Sequence, residues 1–309
     1  MTEPRILTVR PGPDDYAWTF GGAPPVARIA PGTVLDLYTE DCFAGRVRSE
    51  KDLVSEVCEF PFLNPQTGPF HIEGAEPGDT VAVHFVSVEP ARDWAASTTV
   101  PLFGALTSTH TTATLQPPLP ETVWIWQLDR TRRTALFRAH EGGIELELPL
   151  DPMHGTVGVA PANLEVRSAL VPDAHGGNMD TPEMRAGVTC YLGVNVEGAL
   201  LSLGDGHARQ GEGETCGVAV EWSWGIAEVS PEAAISLNTS DLVGIVVPDA
   251  SHFDGWVDRG CLVVGCDGHG FGWVTGRPGP VAVVETFDAE VRHFAFDDAG
   301  VGTSAASRQ

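Results

Sequence analysis

Lysine is almost absent from this chain of 309 residues. Lys51 is the sole one, and it sits in the charged run Ser49-Glu50-Lys51-Asp52, which reads as a solvated face. Mechanisms that rest on a catalytic lysine, in Ser-Ser-Lys or Cys-Glu-Lys arrangements, are therefore disfavoured. The other basic residues are arginines, a skew that a GC-rich coding bias explains as well as any function does. The 6 cysteines (Cys42, Cys58, Cys190, Cys216, Cys261 and Cys266) include no CxxC pair, which excludes a zinc ribbon. In a cytosolic chain they stay reduced and read mostly as small buried hydrophobes, although Cys42 and Cys216 adjoin polar motifs. No apolar run reaches the length of a membrane span, and no membrane partner is expected. The N-terminus, MTEPRILTVRPGPDD, lacks the apolar stretch of a secretory signal, so the expected compartment is the cytoplasm.

Positive charge as a whole is scarce. Eighteen Lys+Arg stand against 42 Asp+Glu, a net charge of −24. Such a surface repels phosphate backbones, and nucleic acid is not an expected partner. Solubility is the plainer meaning of the charge. A hydrophobic content of 42% is ordinary for a globular protein, and the length suits one large or two modest domains.

Helical periodicity is scarce too. The chain offers short alternating or β-branched runs instead: Val34–Tyr38, Thr80–Val88, Thr122–Leu128, Ala135–Phe137, Ile144–Leu148, Thr156–Ala160 and Thr215–Trp222. Trp124 and Trp126 fall on one face of their strand and read as core packing. His84 reads as a satisfied strand histidine. Only Arg46–Cys58 suggests a short helix. Closely spaced strands with turn signals between them predict a mainly β fold. The expected division is a β-sandwich- or barrel-like part over 1–165, a motif-bearing β-rich core over 166–233, and a divergent portion over 234–309. In that last portion, short Val-rich runs (Leu242–Val247, Cys261–Val264, Val281–Val284) are broken by glycine, and the tail Asp297–Gln309 reads as disordered.

The most informative stretch is His175–Glu214, HGGNMDTPEMRAGVTCYLGVNVEGALLSLGDGHARQGEGE. Two glycine-bracketed polar clusters flank an apolar run, Val188–Leu203, which reads as a buried strand or hairpin. Glycine permits close backbone approach, so the polar side chains can be aimed at one point. Asp180, Asp205, His207, Glu212 and Glu214 then offer carboxylates and an imidazole within one unit, the chemistry of metal-assisted or general acid/base hydrolysis. On local sequence alone the Asp and His residues of these glycine-rich loops also read as turn formers, and Asp41 before Gly45 reads equally as one.

At these residues the chain resembles the acetamidase/formamidase family. GGNMD followed by GDGHAxQGxGE carries the resemblance, supported by NPQTGP (Asn64–Pro69) with EGAEPGD (Glu73–Asp79), by LDPMHGTVGVAP (Leu150–Pro161) and by TEDCFAG (Thr39–Gly45). It covers roughly residues 30–221. The resemblance implies hydrolysis of short aliphatic amides to carboxylate and ammonia, a small-molecule amide substrate, a homo-oligomer, and a C-terminal α+β element with a long amphipathic helix. Residues 234–309 depart from that pattern. Divergence, replacement of the element, or a changed reading frame near residue 230 would each account for it. A non-catalytic β-rich binding protein that keeps the pocket, and hydrolysis of another C–N substrate, are the alternative functions.

The chemistry assigns roles within this set. Asp41, Asp180 and His207 are the candidate ligands of a divalent metal, zinc or a related ion. Glu214 is the candidate base for the attacking water, with Asp180 and His207 beside it. Asn178 and Gln210 are candidates to hold the amide or oxyanion, and the resemblance implies that the loop carrying Asn64 and Thr67 helps close the substrate pocket, where these two present polar groups. Asp205 reads as a turn residue or a partner that orients His207. His154 and His175 stand as further candidates, and Glu221 is either buried at a strand end or exposed. A metal-free mechanism with Glu214 as base fits the same residues.

Overall fold

The computed structural model describes residues 5–104, 118–211, 214 and 216–221, and the backbone of the strands at 224–235, 264–266, 272–273, 280–284, 291–296 and 302–305. Strands dominate the described residues, and two sheets carry the architecture.

The first sheet has the order β1 (Ile6–Val9), β4 (Val34–Leu37), β17 (Trp224–Ile235), β6 (Thr80–Pro90), β14 (Thr189–Gly193). The β1–β4 pair is parallel and the other pairs are antiparallel. The second sheet runs β10 (Glu145–Pro149), β9 (Thr134–Arg138), β8 (Thr122–Asp129), β7 (Trp94–Thr99), β16 (Val220–Glu221), β15 (Ala199–Arg209), β11 (Met153–Gly158), β13 (Gly176–Asn178). β5 (Gln66–Ile72) joins it along β15, and β3 (Ala27–Ile29) lies parallel to β5. A short pair, β2 (Thr19–Phe20) with β12 (Arg167–Ser168), packs outside the sheets. Among the described residues neither sheet closes into a barrel.

The core follows from the alternation read in the sequence. In β4 the burial alternates and places Leu35 and Leu37 inside. They meet Phe70, Val83, Phe85, Leu201 and Leu203 in one continuous cluster. Each of these side chains stabilises the fold by roughly 1.5–3 kcal/mol relative to exposure. Trp126 belongs to the same cluster, and both Trp124 and Trp126 pack on Phe137, as their shared face requires. His84 pairs with Thr189 at 2.8 Å.

β15 organises the second sheet. One edge pairs with β11, and the other pairs with β5 and then with β16. Its first half, Ala-Leu-Leu-Ser-Leu, fills the core. Its second half, Gly-Asp-Gly-His-Ala, is equally buried but polar. Burying such groups costs several kcal/mol unless they are paired, so the neighbours must supply partners. That requirement builds the site.

Three local expectations change. Val188–Leu203 is not a hairpin: β14 and β15 enter different sheets. The helix read over 46–58 shrinks to one turn, α1 (Val54–Val57). Asp52 accepts backbone hydrogen bonds from Arg48 (2.9 Å) and Ser49 (2.8 Å), a local turn that competes with helix. Within the tail read as disordered, β22 (Gly302–Ala305) pairs with β21 (Val291–Phe296), which pairs with β20 (Pro280–Val284). β18 (Val264–Cys266) pairs with β19 (Gly272–Trp273). The Leu242–Val247 run, Glu212, and most of the residues that bear on the C-terminal departure lie outside the described residues. Among the described residues no helix is long and apolar enough to cross a membrane.

Candidate active site

The β11–β15 ladder is interrupted at one position. Met153, His154, Thr156, Val157 and Gly158 pair with β15, but Gly155 and Asp205, which would face each other, do not. Asp205 takes φ 59° there, in the left-handed region. Its N–H donates instead to the Glu40 carbonyl at 3.0 Å, and the Gly155 carbonyl accepts from Met179 and Asp180, both at 3.0 Å. The interruption turns the Asp205 side chain toward Asp180. A Cβ on Gly155 would lie 2.5 Å from Asp205 Oδ2, 2.6 Å from Asp180 Oδ1 and 2.8 Å from His207 Cε1. The missing side chain is the space into which the site converges.

Around that space the polar groups interlock. His207 Nε2 lies 3.2 Å from Asp205 Oδ1 and 3.2 Å from Glu221 Oε1. Glu221 Oε1 also accepts from the Ala219 N–H at 2.8 Å. Asn64 donates its side-chain amide to Asp205 Oδ2 at 2.8 Å and to Asn178 Oδ1 at 3.0 Å. The Thr156 hydroxyl lies 2.6 Å from Asn178 Oδ1 and 3.1 Å from Asp205 Oδ2. Asn64, Asp180 and Glu214 share the positive φ of Asp205, at 53°, 45° and 35°. Asn and Asp tolerate this region better than other L-residues, and such conformations cluster at functional sites.

The electrostatics are those of a cluster with too much negative charge. Burial opposes charge on His207, but Glu221 and Asp205 outweigh it and hold the imidazole well above its ordinary value. Burial also opposes charge on Asp205, but His207 and the hydrogen bonds around it keep this carboxyl below its usual range. Burial, then Glu214 and Asp205, push Asp180 well up. Glu221 is raised by burial and then by Asp205 and Glu214, against the pull of His207. Glu214 is pushed up to about 7, first by burial.

Asp180, Asp205 and His207 present ligand atoms within 4.8 Å of one another, and so do His207, Glu214 and Glu221, and Cys42, Asp205 and Glu221. His207 Nδ1 is buried without a hydrogen-bond partner. Hard carboxylate oxygens with one imidazole suit a divalent cation of the zinc type. A cation would also relieve the carboxylate repulsion that raises Asp180 and Glu221. The residues therefore fit a metal.

The cluster lines a cavity of about 680 Å³. Asn64, Asn178, Asp180, Asp205, His207, Glu214 and Glu221 all line it. Asp180, His207, Glu214, Asn178 and Asn64, named from sequence, thus come together.

Others go elsewhere. Asp41 is fully buried, but its carboxylate is engaged by the Arg92 guanidinium and by the Gly45 N–H at 2.8 Å. It closes a turn with Ala44 and belongs to none of the candidate ligand groups among the described residues. Its neighbours reach the site instead, Glu40 through its carbonyl and Cys42 through its N–H, 3.5 Å from Glu221 Oε2. Arg92 also stacks 3.9 Å over the Trp94 ring. The Thr67 hydroxyl donates to the Tyr38 carbonyl at 2.7 Å, and Gln210 donates to the Asp180 carbonyl. Neither lines the cavity among the described residues. His154 donates toward the Gly204 carbonyl at 3.1 Å and packs on Phe85. His175 packs on Phe20.

Glu221 carries no local signal of its role, because it depends on β16 pairing with β15. Thr156 and Arg92 likewise carry no local signal of a site role. The Gly155 signal was the Met-His-Gly-Thr run, small and polar residues inside a strand.

No curated protein matches the chain. The Acetamidase/Formamidase family model matches residues 20–167 and 155–230. Among solved structures, the chain is similar to an acetamidase from Yersinia enterocolitica, at 36% identity over 76% of this chain and 71% of that one, with a TM-score of 0.66. A predicted acetamidase/formamidase from Thermoanaerobacter tengcongensis aligns at 31% identity over 76% and 71%, TM-score 0.63. An acetamidase from Bacillus halodurans aligns at 29% over 75% and 72%, TM-score 0.60. Between them the two family segments take in β5, β11 and β15, the strands that build the buried carboxylate–histidine cluster, and with the 36% identity to the Yersinia enterocolitica acetamidase this shows that the chain belongs to the acetamidase/formamidase family of amidases.

Proposed function

We propose that the protein hydrolyses linear carboxamides, R–CO–NH2 + H2O giving R–COO⁻ + NH4⁺, with acetamide and formamide among its substrates. The observation that supports this best is the buried carboxylate–histidine cluster on the cavity, with Glu214 at its edge and its carboxyl pushed up to about 7, first by burial. A base poised near neutrality accepts a proton from water and returns it to a leaving amine at the same pH.

Asp180, Asp205, His207 and Glu221 would hold a divalent cation, zinc or a related ion. When bound, it supplies the positive charge that polarises an amide carbonyl and lowers the pKa of water to about 7. The chain's own residues do the rest. Glu214 takes the water proton and delivers it to the departing nitrogen. Asn178 faces the cavity and orients the amide, held in place by Thr156 and Asn64. Gln210 fixes the backbone of Asp180 rather than the substrate. Asp41 stays outside the ligand set and anchors the segment that carries Glu40 and Cys42.

The test is ammonia release from formamide, acetamide and propionamide, with and without chelator and added zinc, beside Glu214→Gln. Turnover that is lost on chelation, restored by zinc and abolished in the variant is the expected result. Turnover that survives chelation removes the cation. Folded protein that releases no ammonia from any amide removes the amidase reading.

A further inference from the structure

We infer that the preferred substrate carries an uncharged hydrophobic acyl group of several carbons, alkyl or aryl, ahead of the hydrogen of formamide and the methyl of acetamide. This rests on the amidase reading and extends it to the substrate class.

The cavity has two kinds of lining. Every ionisable carboxylate and imidazole among its described lining residues belongs to the one interlocked cluster. Beyond the cluster the described lining is mostly apolar, including Phe43, Val54, Leu63, Val100, Leu170 and Val218, with Ser55 and Ser168 as its hydroxyl groups. The described lining contains no lysine or arginine, so nothing there would pair with an anionic acyl tail.

The apolar wall is preformed. Phe43 and Val54 are buried in a cluster with Cys42, Val47, Ala96 and Val123, and Val100 and Val218 pack against it. Such a wall keeps its shape without a ligand.

Size points the same way. Acetamide has four non-hydrogen atoms, roughly the volume of four waters, or about 120 Å³ at about 30 Å³ each. The cavity measures about 680 Å³, in the range of roughly 300–1,000 Å³ that holds much larger ligands. A short amide seated at the cluster would leave water against the hydrophobic wall, whereas a longer acyl group would displace it. The mouth continues the apolar surface. Phe60, Phe103 and Val171 line the cavity, yet are 78%, 46% and 46% exposed. Large exposed apolar side chains gathered around one cavity are what a binding site presents.

The experiment compares kcat/KM for acetamide, butyramide, hexanamide, phenylacetamide and the anionic succinamate on the full chain. Each buried methylene is expected to raise kcat/KM about fourfold, so hexanamide exceeds acetamide on the order of 100-fold and succinamate falls below both. A flat or falling series overturns the inference.

Calorimetric binding of hexanamide and acetamide to Glu214→Gln separates the two readings. Tighter hexanamide binding with a negative heat-capacity change supports the hydrophobic acyl site even if the wild type turns over no amide. Acetamide turnover without any preference for hexanamide, in binding or in rate, overturns the acyl site and leaves the amidase standing. Phe103→Ser is expected to shrink the hexanamide-to-acetamide ratio through KM. An equal loss for both amides would mean that Phe103 is only structural and would count against the proposal.

Discussion

His207 and Glu221 face each other across the antiparallel β15–β16 pair, with Nε2 3.2 Å from Oε1 and both side chains 1% exposed. Directly opposed residues of two strands are held at contact distance by the ladder itself. The imidazole therefore sits between two carboxylates, Glu221 and Asp205, without any flexible segment to relax the arrangement. In this setting Glu221→Gln keeps the shape and removes the charge. Cation affinity, measured by competition with a chelating dye, is expected to fall by about 100-fold, on the scale of the losses seen when groups supporting a metal ligand are removed. Unchanged affinity with unchanged circular dichroism would take Glu221 out of the ligand set.

Gly155→Ala adds only one methyl group, but that carbon would lie 2.5 Å from Asp205 Oδ2 and 2.6 Å from Asp180 Oδ1. Loss of at least 100-fold in kcat/KM is expected, since small displacements at a reacting centre cost that much. Gly193→Ala is the control, because nothing lies within 4 Å of its Cβ position. Equal activity of the two variants would show that the Gly155 space is not needed.

Removing the Arg92 side chain leaves Asp41 fully buried with its cationic partner gone. Arg92→Met is expected to destabilise the protein by about 3–5 kcal/mol, read as a lower urea midpoint. Arg92→Lys keeps the charge but not the planar fork that stacks on Trp94, and an intermediate loss is expected. A midpoint for Arg92→Met within error of wild type would refute the anchoring role of this pair.

Acid stability has a sign that His154 decides in part. Its folded pKa is lowered from 6.5 to about 4, chiefly by burial. Between those values the unfolded chain binds the proton and the folded chain does not. The stability is therefore fully present above about pH 6.5 and is lost progressively as pH falls toward about 4, by ~3 kcal/mol. The urea midpoint against pH should flatten in this window for His154→Gln. An identical slope in the two proteins would remove His154 as the cause.

Cation binding should also register as stability. A ligand at 100 times its Kd contributes about 2.7 kcal/mol when it binds only the folded state. Zinc is expected to raise Tm by several degrees and a chelator to reverse it, with the rise absent in Asp205→Asn. No shift in the wild type would argue against a cation site.

Much of the scaffold was legible in the sequence because it depends on a period of two. The Val34–Tyr38 and Thr80–Val88 runs became β4 and β6, and Trp124 and Trp126 packed where their alternation put them. The polar stretch around Asp180, His207 and Glu214 was legible through the long composite motifs of the family resemblance, since glycine-bracketed Asp and His by themselves also read as turn formers. Asp41 was harder. A carboxylate before Gly45 looks the same whether it holds a cation or closes a turn, and only the position of Arg92 distinguishes the two.

By itself, the sequence determined which segments extend, which faces they bury and which residue types gather between the glycines, since these follow from local sterics and from the cost of exposing apolar surface. The tertiary structure alone decided that β14 and β15 part into different sheets, that the ladder opens at Gly155 and Asp205, and that Glu221 arrives opposite His207. Those outcomes depend on pairings between segments far apart in the chain. Local propensity carries no information about which strand will be a neighbour, because the energy that selects it comes from satisfying buried polar groups across the whole sheet.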